Sequence, residues 1–148
     1  MDKITIVKNF VDEDECNYAL ETADYSFITF KLERYIKYNI SLKGYSIDTL
    51  LPFNLNTHTP NSSSPKWNTD TSSYISFLIQ LNESYENGYF QFLLDGGDNY
   101  FQLHHGIGNM AIYFSNLKHR TSPVVNGNKY TITSSVSITK NSNHQTLI

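Results

Sequence analysis

The chain changes its hydrophobic rhythm about a third of the way along. Near the start, Cys16, Ala19, Leu20 and Ala23 recur at i, i+3, i+4 and i+7, which is one apolar face of a helix. Asp12 stands where that helix begins and Glu15 follows three residues later, a capping-box pairing with acids crowding the first turn. Residues 4–7 read as a short strand before it. In "FKLERYIKYNISL", Leu32, Tyr35, Ile36 and Ile40 predict a second helix, although the tyrosines and residues 40–42 also allow a strand. From about Thr49 the helical spacing ends. "LLPFNLNTH" is extended, with Pro52 pointing to a sheet edge or bulge. "TPNSSSPK" is a polar connection, either a plain surface loop or a lid.

Beyond that loop the pattern is strand, turn, strand. "YISFLIQL" is followed by the turn "NESYEN", "GYFQFLL" by the hairpin signal "DGGD", and "NYFQL" by "HHGIGN". "MAIYF" and "KYTITSSVSI" complete the series, and "TKNSNHQTLI" reads as a frayed tail. The predicted architecture is mainly β: a jelly roll with one or two N-terminal helices packed on it. A single domain is expected, with residues 1–48 giving the first strand and helices, 49–140 the β core and 141–148 the tail.

Composition narrows the function classes. The 11 Tyr, 9 Phe and 1 Trp suit half-wet walls, since a tyrosine packs its ring while its hydroxyl finds a partner. The formal charge is -3 with no basic block, so nucleic acid is not an expected partner. One cysteine, Cys16, excludes an intrachain disulfide and a cysteine-only metal site, and its place on the helix face makes it a core residue. "YISFLIQL" is too short to span a bilayer and "MDKITIVKNF" lacks the apolar run of a signal peptide. No membrane partner and an intracellular location are therefore expected.

The candidate chemistry lies in "KWNTD" and "LKHRTSPV". Octahedral Fe(II) sites that activate dioxygen use two imidazoles and one carboxylate on one face. Residues two apart on a strand point the same way, so Asn68 and Asp70 form a close pair, with His119 as a distant third candidate. Tyr74 and Gln80 share the parity of Asp70 and are expected to face the same cavity. His104 and His105 fall in a turn and read as solvated.

From Trp67 onward, the order of "YISFLIQLN", "YENGYFQF", "GIGNMAIYFSN", "KHRTSPV" and "NGNKYTIT" resembles the 2-oxoglutarate/Fe(II)-dependent oxygenases, in particular their prolyl 4-hydroxylase-like branch. "IVKNFVDEDEC" is similar to that branch's first strand and helix, and the likeness is weakest over residues 29–65. The resemblance implies a double-stranded β-helix, Fe(II) and 2-oxoglutarate as cofactors, and hydroxylation of a peptidyl proline or another C–H bond. It implies a small-molecule cosubstrate and a peptide or protein substrate. It makes Asp70 and His119 iron ligands, and gives Lys129 and Thr131 the far carboxylate of 2-oxoglutarate. Two positions depart from the family. Asn68 stands where the first metal-binding His belongs, and an amide oxygen is a weak, neutral ligand. His58 stands near a family Tyr that reaches the cosubstrate, and either bonds an acid or replaces the lost ligand.

Three functions follow from these residues: an active oxygenase with an impaired metal site, a degenerate oxygenase fold used for binding or assembly, and an unrelated β-sandwich that binds, for instance, carbohydrate.

Overall fold

The computed structural model describes residues 4–61, 66–70, 73–94, 99–104 and 106–141. Strand β1 (Ile4–Val7) leads into helix α1 (Glu13–Thr22). The capping box is made: the Asp12 carboxylate accepts from the Glu15 backbone N–H, and the Glu15 carboxylate from that of Asp12, both at 2.8 Å. Cys16 and Ala19 are buried as the spacing requires, but Ala23 is the left-handed cap that ends the helix (φ 55°) and is exposed. Helix α2 (Ser26–Asn39) resolves the second ambiguity in favour of helix, burying Ile28, Leu32 and Ile36, with Ile40 as its extended C-cap.

The strands that follow are β2 (Tyr45–Ile47), β3 (Asn54–His58), β4 (Ile75–Gln80), β5 (Tyr85–Asn87), β6 (Phe90–Leu93), β7 (Tyr100–Leu103), β8 (Met110–Phe114), β9 (His119–Thr121), β10 (Val124–Gly127), β11 (Lys129–Val136) and β12 (Ile138–Lys140). Antiparallel pairing orders five of them as β1-β8-β4-β11-β3 in a main sheet, and β7-β6-β9 form a smaller one. Two further pairs form, β10-β5 and β12-β2. Pro52 does precede an edge strand, β3.

Two cores flank the main sheet. On one face Ile75, Phe77, Ile79, Ile112, Ile132 and Val136 pack with Cys16, Ala19, Ile28 and Leu32 from the helices. On the other, Leu78, Ala111 and Tyr113 pack with Phe90, Phe92 and Leu103 of the small sheet. This is the predicted mainly-β jelly roll with N-terminal helices packed on it.

Several expectations need correction. "NESYEN" is not only a turn, since β5 begins at Tyr85. The start of the tail is ordered: β12 pairs with β2, and the Thr139 hydroxyl donates to Asp48 at 3.0 Å. "DGGD", His105, most of "NSSSPK" and the last seven residues lie outside the described residues.

Candidate functional site

A cavity of about 580 Å³ opens between the two sheets. His58, Asn68, Asp70, His119 and Thr131 all line it, so the sequence brought five of its eight candidates to one place. Asn68 and His119 meet across an isolated antiparallel bridge, each backbone N–H donating to the other's carbonyl at 2.9 Å. The Asp70 backbone N–H donates to Ser115 at 2.9 Å, and its carboxylate accepts from the Ser73 hydroxyl at 2.6 Å.

His119 is held by two rings and a backbone carbonyl. Its ring stacks on Phe90 (5.6 Å between centroids, 23°) and meets Tyr113 at 5.2 Å. Nδ1 lies 2.8 Å from the Leu117 carbonyl, which only accepts, so Nδ1 carries a proton. In the neutral ring Nε2 is then left with its lone pair, the tautomer a metal-binding imidazole needs.

The other residues do not complete an iron site. The Asn68 amide turns its Nδ2 to the Lys66 carbonyl at 2.9 Å. His58 lines the same cavity, yet among the described residues no three of His, Cys, Asp and Glu come close enough to share a metal. The local donor set is one imidazole, one carboxylate and one neutral amide, which does not fit the two-imidazole requirement of this iron chemistry.

The cosubstrate residues fare similarly. Lys129 shares the face of Thr131, as its parity predicts, and pairs across the strands with His58. Its ammonium is buried, does not line the cavity, and donates to the Gly88 carbonyl at 2.7 Å. The rings of Tyr85 and Phe90 lie 5.8 and 5.9 Å from it. Gly88 stands at φ +64° after Asn87 at φ 58°, and a side chain at Gly88 would strike Val124 at 2.6 Å. Burial pushes the Lys129 amine down from 10.5 to about 8. Burial, and then the nearby Lys129 charge, lower the pKa of His58. A dicarboxylate in the cavity therefore does not meet the cation meant for it.

Tyr74 and Gln80 stay outside the cavity, contrary to expectation. Tyr74 is partly exposed and packs edge-on against Phe114 at 5.2 Å. Gln80 lies on the right face but at the far end of β4, where Nε2 donates to the His104 carbonyl and Oε1 accepts from the Gly106 N–H. His104 is exposed, as read from the sequence.

The sequence reading missed Arg120 as a wall residue. Its guanidinium carbon lies 4.0 Å from the Trp67 ring centre and 5.9 Å from that of Tyr100, and Nε donates to Gln91 at 2.8 Å. It also missed the polar rows of β3 and β11. There the Asn56 amide Nδ2 reaches the hydroxyls of Thr131 and Thr133 at 3.4 and 3.1 Å. The alternation of "KYTITSS" was the signal for that row.

No protein-family model matches the chain, and no curated protein does. Solved structures do. The viral collagen prolyl hydroxylase of Paramecium Bursaria Chlorella virus-1 superposes with a TM-score of 0.69 at 10% identity, covering 91% of this chain and 90% of that one. A prolyl hydroxylase from Trichoplax adhaerens, in complex with a hypoxia inducible factor oxygen degradation domain peptide fragment, gives 0.74 at 11%, covering 93% and 84%. A Pseudomonas putida prolyl-4-hydroxylase gives 0.73 at 13%, covering 95% and 88%. Identities this low speak for architecture alone: the chain has the double-stranded β-helix fold of the prolyl hydroxylases.

Proposed function

We propose that this chain uses an oxygenase-type jelly roll as a binding module, not as an iron enzyme. The observation that carries this reading is the donor set. Where three strong ligands should converge, Asp70 and His119 have beside them among the described residues only the Asn68 amide, a neutral oxygen where this chemistry needs an imidazole. The diversion of Lys129 to the Gly88 carbonyl supports it from the cosubstrate side. The fold is no counter-argument, because function belongs to the site and not to the scaffold.

An enzymatic reading keeps one observation in its favour: Asp70 and His119 share the cavity, and the His119 tautomer suits a metal. Anaerobic titration with Fe(II), with and without 2-oxoglutarate, separates the two readings. The expected result is no visible charge-transfer band in the wild type. A band that needs both additions would overturn the binding reading. Asn68→His is the control: a band there would mean that one missing ligand disarms the site.

A further inference from the structure

The cavity's lining also bears on what it binds, an inference that rests on the binding reading above. Eleven of its twenty-one described lining residues carry a neutral amide or hydroxyl, among them Asn54, Asn56, Thr131, Thr133 and Ser135. Apart from its histidines, Asp70 and Arg120 are the charged side chains among the described lining residues, and they are opposite in sign; burial favours the neutral form of His58. Arg120 is already engaged by Gln91 and the Trp67 ring, and Lys129 points elsewhere. A carboxylate entering here would give up its water and face the like charge of Asp70, with only the outer edge of the Arg120 guanidinium left to pair with.

A neutral ligand rich in hydroxyls meets the opposite situation. Amides and hydroxyls both give and accept, so a wall of them can satisfy groups that do the same. Asn56 sets up the row. Its Nδ2 occupies an acceptor site on Thr131 and on Thr133, leaving their hydroxyl hydrogens to donate to a ligand. The remaining walls include Leu78, Phe90, Val124 and the ring of Tyr113, an apolar surface for C–H groups. The cavity volume of about 580 Å³ lies within the roughly 300–1,000 Å³ typical of small-molecule sites.

We propose that the cavity binds a neutral mono- or disaccharide, held by the Asn/Thr row of β3 and β11 on one side and by aromatic and aliphatic walls on the other. A peptide is the competing occupant. It fits less well, because the Asn56–Thr131–Thr133 row presents side-chain amides and hydroxyls where a bound peptide would need a run of backbone partners.

Calorimetry and saturation-transfer NMR on the whole chain test this with glucose, maltose, cellobiose and trehalose. 2-Oxoglutarate and a neutral proline-containing tripeptide serve as competitors. Saturable binding of at least one sugar is expected, with no 2-oxoglutarate binding. Thr133→Val is nearly isosteric and Asn56→Ser replaces the amide with a smaller polar side chain, so both should fold. Each should weaken sugar binding by roughly fivefold to tenfold, the effect of one lost hydrogen bond. A silent sugar panel overturns the inference, as does sugar binding that neither variant alters, or binding of the tripeptide alone. The iron titration separates this failure from that of the underlying reading. A wild type without a charge-transfer band and without sugar binding loses only the saccharide. A wild type with the band loses the binding module as well.

Discussion

The two faces of the main sheet are both buried, yet they are built from different chemistry. Along β4, Ile75, Phe77 and Ile79 face the helices, while Ser76, Leu78 and Gln80 face the small sheet. The registers extend the contrast across the sheet. Ile79 sits opposite Ile132 and Phe77 opposite Ile112, whereas Gln80 sits opposite Thr131 and Ser76 opposite Ser135 and Tyr113. Burying a polar group costs free energy unless it is hydrogen-bonded. The second face accordingly spends its polar groups on one another: Ser76 on Ser115 at 2.8 Å, Asn56 on two threonines, Gln80 on a loop. The helix face holds the fold together, and the other face is arranged around a cavity.

Neighbouring residues of one strand can break this comparison. Phe77→Ala should destabilise by about 3–5 kcal/mol, because the ring is wholly buried among apolar partners and leaves a void. Ser76→Ala, one residue away and nearly as buried, should cost about 1–2 kcal/mol, since the Ser76 hydroxyl bonds both Ser115 and the Tyr113 hydroxyl. Urea unfolding of both variants measures the pair. Equal costs would mean that the polar face is as much a structural core as the other.

Lys129 is the exception on the polar face, a buried ammonium with no carboxylate partner among the described residues. Its folded pKa of about 8 lies below its ordinary 10.5, so between those values the unfolded chain holds the proton more tightly. Wild-type stability should therefore rise with pH across that window, and the full penalty is present below about pH 8. Lys129→Met should gain up to about 3 kcal/mol at pH 7, less the lost bond to Gly88, and the gain should vanish as pH rises through the window. Melting curves at pH 7 and 10 check the sign. A destabilised variant at pH 7 would mean that the ammonium has a stronger partner than the Gly88 carbonyl. Adding 2-oxoglutarate sharpens the test: protection of the wild type but not of the variant would return Lys129 to its family role.

How much of this was legible depended on which interactions were local. The capping box of α1 and the strand β4 were readable because a helix start and a buried apolar run are set by residues close in sequence. β5, β9 and β12 were not, since "YEN", "HRT" and "ITK" are three-residue strands defined by their partners alone. Parity put Thr131 on the face of Lys129, and across the strands Gln80 sits opposite Thr131. Parity could not say how far along the strand the cavity reaches, so Gln80 was assigned to a cavity it does not line. Nor could parity direct the tip of a long side chain: the Asn87-Gly88 turn decides where the Lys129 ammonium goes. Asn68 was the informative residue, because a ligand's chemistry is legible even when its geometry is not.

The smallest expected effect concerns His58, beside Lys129 on the edge strand. Burial first, and the lysine second, lower its folded pKa below the ordinary 6.5. The unfolded chain therefore takes up the proton first as pH falls, and this residue's share of stability is lost below about pH 6.5. His58→Gln removes that share, so the drop in melting temperature from pH 7 to pH 5 should be smaller in the variant than in the wild type. NMR titration of the His58 ring gives the direct measure. Since the lysine is the lesser cause, Lys129→Met should restore only part of the shift. A ring that titrates at or above 6.5 in the wild type would mean that a charged imidazole is tolerated at the cavity wall. The wall would then carry a cation after all, and an acid would regain its place among the ligands to try.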